Sequence, residues 1–345
     1  PARPAYHFHP PAQWMNDPNG LIHHGGYYHV FYQHNPYGDA WGHMHWGHAR
    51  SRDLVRWEHL PIALWPSTER GEEHVFSGSA ALNANGQPLL FYTSIGRGQG
   101  AGVHAEQWVA TTSDDLLSFR KHPDNPILTE AIHGERKIYD WRDPYVFRAG
   151  RRAFMVLGGN LNAGKGGQAV VTLYEAEDGS LLRWKYRGVL FTHPDPAVTN
   201  IECPLLFPID GTWVLILSPH RRVEWFTGDF NPDAGTFTRR REGFLDYSDH
   251  FYAPSAFADQ TGRRILFGWV RGFPEGRGWN GCLTLPSLLS LQGGILVQKP
   301  VPETERLRRT SHTLPGHQLA GERVWAEVRG HQLEIQAALE RGSAE

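Results

Sequence analysis

Two series of landmarks recur along the chain at a spacing near 60 residues, and they constrain the fold more than any other feature. The first series reads Ser-x-Asp-Leu-x-x-aromatic in "SRDLVRW", ending at Trp57, and again in "SDDLLSF", ending at Phe119. "EDGSLLRW" at Trp184, "GDFNPDAGTF" at Phe237 and "LQGGIL" at Leu296 continue it more loosely. The second series is Asp17 in "NDP", Ser77 in "FSGS", Asp143 in "RDP", Glu202 in "ECP" and Tyr252 in "YAP", with steps of 60, 66, 59 and 50 residues. The two series alternate, five members each. Fixed-period self-similarity of this kind marks a repeat architecture.

The segments between landmarks are short and strand-like. "YYHVFY" (27–32), "PLLFYT" (88–93), "AFMVLGG" (153–159), "WVLILS" (213–218) and "RILFGWV" (264–270) are apolar or alternating runs bounded by turn residues. Only 130–138 suggests a helical turn. Five repeats of short strands predict an all-β fold, a five-bladed β-propeller, with the first series on outer strands and the second on inner ones. Proline supports the placement. Pro18, Pro144, Pro204 and Pro254 follow second-series landmarks within two residues, and proline is confined to edge strands or strand ends. The residue before proline favours extended backbone. That geometry is expected of Asp17 and Asp143, with Pro18 and Asn19-Gly20 ending the first inner strand at a channel mouth.

If the blades close a ring, Asp17, Asp143 and Glu202 converge on one channel. Mutual repulsion should leave at least one of the three with a raised pKa. A protonated acid beside an ionised carboxylate is what glycoside hydrolysis needs. The 13 Trp, 12 Tyr and 17 Phe suit a carbohydrate site, although Trp also fills β cores. On these residues alone, an inverting glycosidase of the arabinofuranosidase or xylosidase type and a non-catalytic sugar-binding propeller stay open.

"WMNDPNG", "FYQHNP", "HWGHARSRDLVRWE", "FSGSA", "WRDP", "ECP" and "FYAP" occur in the order seen in glycoside hydrolase family 32, and over residues 4 to 310 the chain resembles that family of invertases, inulinases and levanases. The resemblance implies retaining hydrolysis of β-fructofuranosides, from sucrose to fructans, without a cofactor. It implies Asp17 as nucleophile, Glu202 as acid and base, and Asp143 as the residue gripping fructose hydroxyls, with Arg142 beside it. Asn16, Gln33, Trp41, Phe76 and Ser77 match the family's sugar-binding positions, and Trp269 in "FGWV" is added either as a ring that stacks on a sugar face or as a blade-core residue. The chain departs from the family's patterns at Ile201 and Leu205, around "ECP", and at Ser287 and Leu288, in "LPSL". Both departures bear on substrate preference.

The net charge of -2 offers no footprint for nucleic acid or an anionic membrane, and no apolar run reaches the length of a membrane span. Two cysteines make no disulfide framework, so compartment and oligomeric state stay open. Cys203, next to Glu202 on a strand, is expected to face away from the channel as a packing residue. His43, His45 and His48 read as a polar, aromatic-rich rim or satisfied core histidines rather than a metal site, with His43 and His45 on one strand face. "GRGQGAG" (96–102) and "NAGKGGQ" (162–168) lack a phosphate-loop context and read as surface loops. The propeller is assigned to 1–300. Residues 301–345 read as a linker and the start of an incomplete C-terminal β-sandwich, with a strand pair within 323–339 and exposed apolar side chains from Val324 to Ile335.

Overall fold

A computed structural model of the chain describes residues 3–98, 104–112, 116–162, 167–316, 318, 324–325, 328–338 and 340. Five sheets follow one another along the chain. The first blade holds β1 (Gln13–His24), β2 (Tyr27–Asn35), β3 (His45–Ser51) and β4 (Trp57–Leu64). The second holds β5 (Glu72–Leu82), β6 (Pro88–Gly96), β7 (His104–Thr112) and β8 (Phe119–Lys121). β9 (Tyr139–Ala149), β10 (Arg152–Asn160), β11 (Ala169–Ala176) and β12 (Trp184–Thr192) form the third. The fourth is β13 (Glu202–Ile209), β14 (Thr212–Ser218), β15 (Glu224–Asn231) and β16 (Thr236–Phe244). In the fifth, β17 (Phe251–Ala258) and β18 (Arg264–Val270) pair in order with β21 (Ser287–Gln292) and β22 (Ile295–Pro300), and β20 (Cys282–Leu283) also pairs with β18. The intervening β19 (Trp279–Asn280) runs parallel to β1, Gln13 opposite Trp279, and ties the fifth blade to the first.

Every second-series landmark lies on the first strand of its blade, and every first-series aromatic or Leu lies on the last. Apolar layers between adjacent blades form the core. One continuous layer joins blades three, four and five through residues such as Val156, Leu206, Leu215 and Ala256. A short 3-10 turn at Glu130–His133 matches the weak helical signal at 130–138.

The inner strands differ from the sequence reading in one respect that matters for function. β1 does not end at "DPNG"; it runs on to His24 with register shifts between Met15 and Pro18 and between Asn19 and Ile22. Proline and glycine sit in bulges within the strand rather than in a closing turn. Gly20 has φ 53°, and a Cβ there would meet Phe31 and Trp46 at 2.8 and 2.9 Å. The same irregularity falls at each landmark: between Val75 and Gly78, across Arg142 to Tyr145, from Glu202 to Leu205, and from Tyr252 to Ser255. The expected extended backbone before proline fails at Asp143, whereas Asp17 is not among the residues with positive φ. Asp143, Cys203 and Ala253, each followed by proline, take φ values of 66°, 47° and 45° as the extra residue of their bulges. Hydrogen bonds hold two of them, from Asp143 N to Thr93 Oγ1 (3.0 Å) and from Cys203 N to Asp143 Oδ2 (2.8 Å).

After a 3-10 turn at Pro302–Leu307, the described residues contain no strand, so the strand pair expected within 323–339 is absent there. An isolated two-stranded pair is marginal in water without further strands to cover it. Val324 and Ile335 are exposed, as expected.

Candidate active site

A cavity of about 290 Å³ opens at the channel. Asn16, Asp17, Gln33, Trp41, Phe76, Ser77, Arg142, Asp143 and Glu202 line it. Nine of the ten residues singled out in the sequence therefore meet in one place. Trp269 does not line the cavity. It sits on β18, one strand behind the inner strand, where its ring packs edge-on against Trp14 at 5.8 Å.

The bulges direct these side chains inward. Asp17 accepts hydrogen bonds from Ser77 Oγ (2.6 Å) and Asn16 Nδ2 (3.0 Å), and Asn16 is itself held by Trp14 Nε1 (2.7 Å). Gln33 is anchored to the Val75 carbonyl (2.9 Å). Arg142 donates to Glu202 Oε1 at 2.7 Å and approaches Asp143 Oδ2 at 4.0 Å. Tyr252 donates to Glu202 Oε2 at 2.6 Å and accepts from the His220 backbone N–H at 3.0 Å. The His220 ring lies 3.5 Å from the same Glu202 oxygen.

Cys203 contradicts its expected orientation. Its thiol faces the site, 3.5 Å from Asp17 Oδ2 and 3.6 Å from Asp143 Oδ2. Strict alternation fails because the bulge at 202–205 inserts an extra residue, so Glu202 and Cys203 both point at the channel. Burial and the surrounding carboxylates push the thiol well above its usual range, so it is a neutral hydrogen-bond donor rather than a nucleophile. Tyr252 and His220 were also missed as site residues. Tyr252 carried a signal, its phase in the second series, whereas nothing in "SPHRR" pointed to His220.

The three carboxylates divide. Burial, opposed by Arg142, pushes Asp143 up to about 7. Burial also raises Asp17, with Glu202 adding to the effect and Ser77 opposing it. Burial pushes Glu202 upward too, but Arg142, His220 and the hydrogen bond from Tyr252 outweigh it and hold the carboxyl below its usual range. The expectation that at least one of the three has a raised pKa is met, at Asp143 and at Asp17.

The histidine cluster is dispersed. His43 precedes β3 and is exposed, so it does not share a strand face with His45. His48 is buried, 3.0 Å from the His29 ring and stacked on Phe31. No group of residues suited to a metal ion is found among the described residues. Parts of the two glycine-rich loops, 99–102 and 163–166, lie outside the described residues.

A five-bladed propeller with three carboxylates gathered at its channel fits the class of proteins built for the two-carboxylate chemistry of glycoside hydrolysis. Comparison with known proteins narrows it. Residues 7–300 match the model of the glycosyl hydrolases family 32 N-terminal domain. Sucrose-6-phosphate hydrolase of Escherichia coli is 36% identical over 99% of this chain and 74% of its own length. Levanase of Bacillus subtilis is 34% identical over 90% of this chain, which spans 48% of that enzyme. Among solved structures, a Bombyx mori family 32 β-fructofuranosidase in complex with sucrose superposes with a TM-score of 0.78 at 32% identity, covering 90% of this chain and 67% of its own. The fructan 1-exohydrolase IIa of Cichorium intybus in complex with 1-kestose gives 0.79 at 29% identity, covering 89% and 62%. The chain belongs to glycoside hydrolase family 32. It thus spans about half to three quarters of the curated relatives it matches.

Proposed function

We propose that the protein releases fructose from β-D-fructofuranosides by double displacement, with Asp17 as nucleophile, Glu202 as acid and base, and Asp143 as the transition-state partner. The observation that carries this reading is the meeting of all three carboxylates in one cavity with Asn16, Gln33, Ser77 and Arg142.

Fructose binding resolves the proton inventory. Fructose hydroxyls donating to Asp143 favour its ionised form, and the released proton suits Glu202 as the acid for the leaving group. Glu202 then passes that proton to the glycosidic oxygen as its bond to C2 breaks. Asp17 attacks C2 and forms a fructosyl ester. Its charge is kept accessible by the Ser77 and Asn16 donors, which stabilise the anion. The positive charge developing at C2 is stabilised by Asp143, ionised once substrate is bound and kept so by Arg142. Water, deprotonated by Glu202, attacks the ester, releases fructose and returns the proton to Glu202.

Asp17→Asn tests the reading. The variant should fold as the parent does and lose release of fructose from sucrose, inulin and levan. Unchanged release would overturn the assignment of the nucleophile.

A further inference from the structure

Aromatic surface on this protein does not stop at the cavity. Tyr37 is 66% exposed and Trp65 is 51% exposed, although both rings pack on the same buried residue. Tyr37 meets His45 edge-on at 5.7 Å, and Trp65 meets it edge-on at 4.7 Å. Together they make an exposed aromatic shelf around one buried histidine.

Strand register places the shelf. Met15 on β1 pairs with His34 on β2, and His34 pairs with His45 on β3. Trp46 pairs with Leu64 on β4, which sets Trp65 opposite His45. At the usual strand spacing, Trp65 stands about 14 Å outward from β1, on the end of the blade that carries Asn16 and Asp17. The segment 36–44 that joins β2 to β3 presents Trp41 to the cavity and Tyr37 to the shelf. This segment is firmly held. Trp14 N donates to Gly38 O (3.0 Å), Asn35 Nδ2 to Ala40 O (2.9 Å), and the Arg277 and Gly278 amides to Asp39 Oδ2 (2.7 and 2.8 Å). Trp65 is fixed through its carbonyl by Lys121 Nζ (2.6 Å), and that ammonium is also paired with Glu72. Rigid, exposed rings continuous with a sugar cavity are preorganised for a ligand with flat apolar faces.

We propose that Tyr37 and Trp65 form an outer subsite that stacks neutral glycosyl units lying beyond the bond cleaved, and so favours fructo-oligosaccharides and fructans over disaccharides. Sugar rings present apolar C–H faces to aromatic side chains, and the ammonium that holds the Trp65 carbonyl is already committed to Glu72. This inference rests on the hydrolase reading above, and the experiment separates the two.

Trp65→Ala and Tyr37→Ala proteins, with Trp65→Phe as the conservative control, are assayed on sucrose and on a five-unit β-fructan oligosaccharide. Calorimetric binding of the same oligosaccharide is measured alongside. The expected result is a loss of about tenfold in kcat/KM on the oligosaccharide for each alanine variant, carried by KM, with sucrose changed less than about twofold. Trp65→Phe should recover most of the loss. Equal losses on both substrates, or no loss on either, would overturn the subsite. A parent protein that releases fructose from neither substrate would refute the hydrolase reading instead, and calorimetry would still report whether Trp65→Ala weakens oligosaccharide binding.

Discussion

Asp143→Asn should make the protein more stable while disabling it, and by an amount that depends on pH. Asp143 is buried, and its pKa stands at about 7 in the folded protein against 3.8 ordinarily, so roughly three units, or about 4 kcal/mol, separate the two states. The sign follows from proton binding. Between about pH 4 and 7 the folded state holds a proton that the unfolded state has lost, so this residue's contribution to stability falls as pH rises through that window. Above it the full penalty applies, and below about pH 4 there is none. Asparagine mimics the protonated carboxyl. Its amide oxygen can keep the 2.8 Å bond from Cys203 N, and asparagine tolerates the φ of 66° at this position. About 4 kcal/mol is a ceiling on the gain at pH 8, because Arg142 loses an anionic neighbour. Urea unfolding of parent and variant, followed by tryptophan fluorescence from pH 4 to pH 8, reads the difference directly. It should widen with pH while kcat falls by about a hundredfold or more. A variant less stable than the parent at pH 8, or a difference flat across pH, would refute the reasoning.

Other expectations follow from the same network. Removing His220 takes away one of the groups that hold Glu202 low, so His220→Gln should move the basic limb of the kcat profile to higher pH; an unmoved or lowered limb would show that the histidine does not act on Glu202. Ser77→Ala deletes the 2.6 Å donor to Asp17, raising that carboxyl further, and should shift the acidic limb upward with a loss of about 10- to 100-fold in kcat/KM. A Cβ at Gly158 would stand 2.1 Å from the Ile201 carbonyl, so Gly158→Ala must displace the segment that carries Glu202; kcat should fall more than KM rises, and unaltered kinetics would show that the segment yields without cost.

The blade plan was readable because the landmarks are chemical necessities of their positions. An inner strand lines the channel, must turn a polar side chain inward and can use proline there, so Asp17, Asp143, Glu202 and Tyr252 share one phase. Trp57, Phe119 and Trp184 recur because each outer strand closes its blade on the preceding one. What escaped was local geometry. Alternation predicts which way a regular strand points, and the bulge at Cys203 defeats it. "DPNG" has the composition of a turn whether the chain reverses or merely bulges, and the packing of Phe31 and Trp46 around Gly20 decides between them. The parallel pairing of β19 with β1 joins residues more than 260 positions apart and leaves no periodic trace. Trp269 was placed by residue type, and its ring packs edge-on against Trp14 instead of lining the cavity.

The central claim is a covalent bond between fructose and Asp17, and it can be observed. The protein is mixed with sucrose, quenched in acid within its first turnovers, digested with pepsin and examined by mass spectrometry. The account predicts one added fructosyl group on the peptide containing residues 14–20, absent from the Asp17→Asn protein, with fructose released first as the β-anomer. An unmodified peptide together with first release of the α-anomer would contradict it.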